Sequence, residues 1–162
     1  MWYEDPIRMD NLDALAEFAR STRVPTTASE TLSSIYAFRE LLEKRAVGIV
    51  MLDPGWVGGI TASRDIAALA AAYHRPVAPH DCTGPVVLCA STHLSLNAPN
   101  ALVQESVRAF YRTWYRDLVT ALPEVKNGMI TVPPGPGLGM ELHPDIGRAF
   151  TLSRRRSDAT SI

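Results

Sequence analysis

Five ionisable side chains recur along this chain at intervals of roughly 25 residues, about one strand plus one helix plus two loops. They are Glu4, Glu30, Asp53, His80 and Glu105, each at or just past the C-terminal end of a short apolar run. Such a series calls for equivalent βα units whose strands all end at one face. In a (β/α)₈ barrel those ends converge on a single mouth, the face that holds the active site. Residues two apart in a strand share a side. The expected inward rows therefore pair Trp2 with Glu4, Ala28 with Glu30, Met51 with Asp53, Ala78 with His80 and Val103 with Glu105.

The segments between these residues alternate as the series requires. Helical spacing of Leu12, Leu15, Ala16 and Ala19 marks a helix over Asp10 to Arg20, and Ile35, Phe38, Leu41 and Leu42 mark another over Ser33 to Arg45. Helices are also expected over Ser63 to His74, Pro85 to Leu96 and Arg108 to Leu118. Strands are expected over Val24 to Ser29, Gly48 to Leu52, Pro76 to Pro79 and Ala101 to Gln104. Strand alternating with helix is the pattern of a parallel sheet with right-handed crossovers, so the fold class is α/β. Residues 1–121 read as a partial barrel. Residues 122–146 differ in kind: the Asn127-Gly128 turn, a strand-like Met129 to Val132, and a Pro/Gly run from Pro133 to Gly139. Residues 147–162, with Arg154, Arg155 and Arg156 among Ser, Asp and Thr, read as a solvated terminal tail.

Residue type then indicates chemistry. Glu4 and Glu30 are hard oxygen ligands on adjacent units, suited to Mg²⁺. His80 is the one member of the series that titrates near neutral pH, and so the candidate base. Asp53, on the neighbouring strand, can fix the tautomer of His80 and raise the basicity of its other nitrogen. Glu105, expected two strands from His80, could if protonated donate a hydrogen bond to a developing oxyanion. Asp5 and Asp81 adjoin the series with opposite parity and are second choices. His74, His93 and His143 are expected to be structural or surface residues. Gly58-Gly59 before a helix is a weak anion-site signal beside its plainer reading, a tight βα turn.

Composition excludes several classes. A net charge of −1 with 20% charged residues gives no electrostatic footprint for nucleic acid or anionic membranes. No apolar run approaches the roughly 20 residues needed to span a bilayer. The opening residues carry neither the basic nor the apolar region of a secretory signal. Cys82 and Cys89, in no C-x-x-C arrangement, are expected to be reduced, packed thiols of a cytoplasmic enzyme.

Tyr3-Glu4-Asp5-Pro6, Ser29-Glu30-Thr31, Asp53-Pro54 followed by Gly58-Gly59-Ile60-Thr61, Pro79-His80-Asp81, Gln104-Glu105 and Pro136-Gly137-Leu138-Gly139 together carry a resemblance. In their order and spacing the sequence resembles the mandelate racemase/muconate lactonising branch of the enolase superfamily, over nearly the whole chain up to about Asp145. The resemblance implies the C-terminal part of a (β/α)₈ barrel, about strands 4 to 8, with a segment returning towards a capping domain. It implies Glu4 and Glu30 as metal-ligating carboxylates for Mg²⁺, Asp53 and His80 as the dyad that exchanges an α-proton, and Glu105 as the acid facing the enolate oxygen. The expected reaction is Mg²⁺-dependent α-proton abstraction from a small carboxylate through an enediolate, as in dehydration of a sugar acid, by a homo-oligomer. A racemase or epimerase of a 2-hydroxy acid using the same dyad is an alternative, and an inactive barrel remnant serving only in assembly is another. Family members carry a capping domain and three further strands ahead of the one bearing Glu4. The N-terminal part is therefore expected to be missing, with the first metal carboxylate and the specificity cap, and the isolated chain is expected to be inactive.

Overall fold

The structure, a computed structural model, describes residues 1–146. The expected tail at 147–162, with Arg154 to Arg156, lies outside the described residues. Four short strands form one parallel sheet in sequence order: β1 (Tyr3–Glu4), β2 (Thr26–Ala28), β3 (Ile49–Leu52) and β4 (Val77–Pro79). Between them lie α1 (Leu12–Ser21), α2 (Ile35–Glu43), the single turn α3 (Pro54–Val57) and α4 (Ile60–Ala72), and after β4 comes α5 (Pro85–Asn97). The helix starts follow from side-chain chemistry. Asn11 accepts from the Ala14 amide to open α1, Ser34 from the Ala37 amide to open α2, and Asp53 from the Gly55 amide to open α3. Among the described residues no helix is long and apolar enough to cross a membrane.

The register sorts the two faces of the sheet. Ala28 pairs with Val50 and Val50 with Val77, and all three lie in the helix-side core with Leu15, Phe38, Leu41, Leu52 and Ile66. Burying each of the larger side chains stabilises the fold by about 1.5–3 kcal/mol. The opposite, inner face carries Glu4, Thr27, Ile49, Met51 and Ala78, because Glu4 pairs with Thr27, Thr27 with Ile49, and Met51 with Ala78. Tyr3 confirms the sorting, its ring standing edge-on to Phe18 of α1 at 5.5 Å.

This corrects the expected rows. Ala28 faces the helices, not the interior, and β2 ends there, so strict alternation does not carry through to Glu30. The expected strand at Ala101 to Gln104 is a single bridge from Ala101 to Val77, with amide bonds from Leu102 to Val77 and from Glu105 to Pro79. Ala101 packs against the helix-side core, so alternation alone would send Val103 and Glu105 to that side also. Instead, the irregular chain over residues 102–106 carries Glu105 to the mouth.

The helix expected over Arg108 to Leu118 is broken at Thr113 into α6 (Arg108–Arg112) and α7 (Tyr115–Leu118). The break lets Tyr115 turn fully inward, packed edge-on against Trp114 at 4.6 Å. Helix α4 starts three residues ahead of the expected Ser63, since Gly58 at φ 103° ends the preceding turn and Gly59 at φ 97° begins the helix. His74, expected within that helix, lies just past it with φ 55°. The Asn127-Gly128 turn closes an antiparallel hairpin of β5 (Glu124–Lys126) and β6 (Met129–Thr131), of which only the second strand was legible. The Pro/Gly run returns as far as a bridge between Leu142 and Val119.

Candidate active site

Asp53 and His80 end adjacent strands whose terminal residues, Leu52 and Pro79, are register partners, and the His80 amide donates to the Leu52 carbonyl. That bond levels the two residues, and the side chains meet: His80 Nδ1 lies 2.8 Å from Asp53 Oδ2. Asp53 is fully buried yet well satisfied. Its Oδ1 accepts from the Gly55 amide at 2.6 Å and its Oδ2 also accepts from Thr83 Oγ1 at 2.5 Å. Burial raises the Asp53 pKa, but the His80, Thr83 and Gly55 donors outweigh it and the net shift is downward. Asp53 therefore stays a carboxylate. For His80 burial acts first and lowers the pKa, while the Asp53 bond and the charges of Glu105 and Glu30 prevail and raise it.

With Nδ1 committed to Asp53, Nε2 is the nitrogen left for proton transfer, its one hydrogen-bond contact among the described residues being the Cys82 thiol. It lies 4.0 Å from Glu105 Oε2 and 3.3 Å from Cys82 Sγ. Glu105 comes from the segment bridged directly to β4, so it is one neighbour from His80 and not two. Its Oε2 accepts from the Asp81 amide at 2.8 Å. Burial lifts the Glu105 pKa, and neither that amide nor His80 cancels the rise. Cys82 was expected to be packed but is exposed, whereas Cys89 is buried, and both are free thiols.

Glu4 and Glu30 hold the other side of the mouth. Glu4 Oε2 accepts from Trp2 Nε1 at 3.0 Å. Asp5, passed over on parity, joins them: its amide donates to Thr27, and its Oδ2 accepts from Ser29 Oγ at 3.1 Å. Two oxygens here, Glu30 Oε2 and Asp5 Oδ1, are buried with no hydrogen-bond partner. Burial, then the Glu30 charge, push the Asp5 pKa up to about 6. Crowded anionic oxygens without donors suit a hard cation, and Mg²⁺ commonly takes one or two protein carboxylates and completes its shell with water and substrate. Glu30 fits that donor set through its unpartnered Oε2, and Glu4 brings a second carboxylate, one oxygen of which already accepts from Trp2. Among the described residues no group of three or more His, Cys, Asp or Glu side chains is placed to hold a metal ion by itself.

Of the residues set aside, His93 contacts the Leu138 carbonyl at 3.4 Å and His143 the Arg116 carbonyl at 3.3 Å, consistent with structural roles. Thr83 and Tyr115 were missed. No sequence signal marks Thr83, and Tyr115 sits in a segment whose helical break was not foreseen. The Asp53-Pro54 pair, in contrast, is a legible helix start, since Asp is a favoured cap and Pro a favoured first residue.

Comparison with known proteins places the chain among relatives. The family model described as Enolase C-terminal domain-like matches residues 1–146. The chain is 35% identical over 151 residues to the D-xylonate dehydratase of Haloferax volcanii, covering 93% of this chain and 36% of that protein. It is 32% identical over 165 residues to the D-galactonate dehydratase of Ralstonia nicotianae, covering 97% and 41%. Among solved structures, an enolase of the mandelate racemase subgroup from Agrobacterium tumefaciens superposes with a TM-score of 0.91 at 71% identity, over 100% of this chain and 44% of that one. The chain thus spans about two fifths of the length of the curated relatives it matches.

Proposed function

The chain belongs to the Enolase C-terminal domain-like family, as a C-terminal part of the mandelate racemase/muconate lactonising type, and from that premise we propose that it supplies the proton-transfer side of a sugar-acid dehydratase site. The observation that carries the reading is the 2.8 Å His80–Asp53 pair, with Glu105 across from Nε2. Glu4 and Glu30 are the residues that would hold Mg²⁺, which would supply Lewis acidity towards the substrate carboxylate and its α-proton.

His80 Nε2 takes the proton from C2 of the sugar acid, and Asp53 stabilises the resulting imidazolium through Nδ1. Glu105, held towards its neutral form by burial, donates a hydrogen bond to the developing enolate oxygen. The C3–O bond then breaks. The departing hydroxide takes the proton back from the imidazolium and leaves as water, His80 returns to its neutral form, and the enol relaxes to a 2-keto-3-deoxy acid. Two relatives named as dehydratases of D-xylonate and D-galactonate support elimination over racemisation.

Product analysis tests this. A chimera joining residues 1–146 to the amino-terminal portion of the Agrobacterium tumefaciens relative would be incubated with Mg²⁺ and a panel of aldonates. A 2-keto-3-deoxy acid is the expected product. Recovery of a C2-inverted aldonate without any keto acid would favour the racemase reading, and no reaction with any aldonate would sink the dehydratase reading.

A further inference from the structure

Immediately after the candidate base stands a second buried carboxylate that the reaction above does not use. Asp81 is fully buried next to His80, and two further donors reach its carboxylate oxygens. Tyr115 Oη donates to Oδ1 at 2.9 Å and the Val107 amide donates to Oδ2 at 2.8 Å. The Tyr115 hydroxyl, also fully buried, accepts in turn from the Gly84 amide at 3.2 Å. The backbone amide of Asp81 donates to Glu105 Oε2. One carboxylate and one phenol thereby join the loop after β4, the segment carrying Glu105, the start of α5 and the helix α7.

For stability alone such a pair is an expensive choice, since well-packed apolar side chains often serve as well as buried charged groups. What a fully satisfied polar network provides is a single geometry. Here the geometry it fixes is the separation of Glu105 from His80. We propose that Asp81 and Tyr115 are a positioning pair that holds the Glu105 carboxyl beside His80 Nε2. The proposal rests on Glu105 and His80 being the reacting groups of the site.

Carbon-13 titration of the Glu105 carboxyl and the His80 ring in the 162-residue chain tests it, with Tyr115→Phe and Asp81→Asn as the variants. Glu105 is faced by His80, Asp81 and Cys82 from the end of β4 and by Glu4 from β1, so all five groups would be followed. Freed from the Asp81 amide, which favours its charged form, Glu105 is expected to titrate higher by about 1 pH unit in Tyr115→Phe, and by less in Asp81→Asn, which also removes the Asp81 charge that raises it. Thr92→Val, which removes a buried hydroxyl bonded within α5, should leave it unmoved. A Glu105 midpoint unchanged in both folded variants would overturn the proposal. So would failure of both to fold, the behaviour of a purely structural pair, while one folded variant is enough to decide. No substrate enters the measurement, so a positive result stands even if no aldonate reacts, and a negative one leaves the dehydratase reading intact.

Discussion

At the scale of single residues, the decisive quantities are which nitrogen of His80 is left for proton transfer and the pH at which it is unprotonated. Asp53 accepts three donors and remains charged, so the imidazolium is favoured in the folded chain. The sign follows: the stability this pair contributes is fully present below the unfolded histidine pKa of about 6.5 and is lost as pH rises through the higher folded value. Ring titration by NMR is expected to put His80 above about 6.5, and Asp53→Asn to lower it by about 1 pH unit or more. A wild-type value at or below the ordinary one would contradict the dyad. Proton abstraction needs the neutral ring, so any turnover should rise with pH through the raised His80 value. The carboxylates opposite make a separate prediction. Mg²⁺ that binds only the folded chain must raise its melting temperature. The rise should be largely absent in Glu30→Gln, because Glu30 Oε2 is one of the two buried oxygens without a donor. An equal rise in wild type and variant would remove Glu30 from the metal site.

Among the elements, the strands' order and their ends were legible because βα repetition and apolar runs are local signals. The helix-side core was legible as well: Leu15, Phe38, Leu41 and Leu42 fall at helical spacing and are all buried. Face assignment was less so. Alternation holds for β1, β3 and β4 but not past Ala28 or Ala101, where the chain leaves regular strand before reaching Glu30 and Glu105. Parity made Asp5 and Asp81 second choices and could not report the long-range bonds that reach them from Ser29 and Tyr115. The break at Thr113 depends on the tertiary pull of Tyr115 into the core, which helical periodicity cannot report. Two stability measurements check these elements. Phe38→Ala, at a fully buried position, should cost about 3–5 kcal/mol in denaturant unfolding. Gly139→Ala should loosen the return segment, because an added Cβ would sit 2.3 Å from the Pro133 carbonyl oxygen at a residue with φ +75°. Backbone exchange over residues 133–142 should speed up in that variant, and unchanged exchange there would argue against the close approach.

On the scale of the whole molecule, β1 and the segment after β4 are each paired on one side only among the described residues. Beside the latter runs an apolar groove of about 480 Å³ lined by Leu96, Leu102, Val103, Val125, Met129 and Ile130. Tyr3 at one margin is 48% exposed, and Leu102 and Met129 at the other are 47% and 70% exposed. Unpaired edges with apolar flanks invite association, so the chain is expected to self-associate with rising concentration in sedimentation velocity, and Leu102→Lys to reduce this. A monomer at every concentration would show that the margins are protected. The central claim is that these residues carry the base for α-proton abstraction. Its most direct test is solvent-deuterium incorporation at C2 of an aldonate by the Mg²⁺-loaded chimera, with and without His80→Ala. Exchange should fall by about 10²–10⁴-fold in the variant, the range of a lost general base. Exchange at an undiminished rate without His80 would contradict that claim.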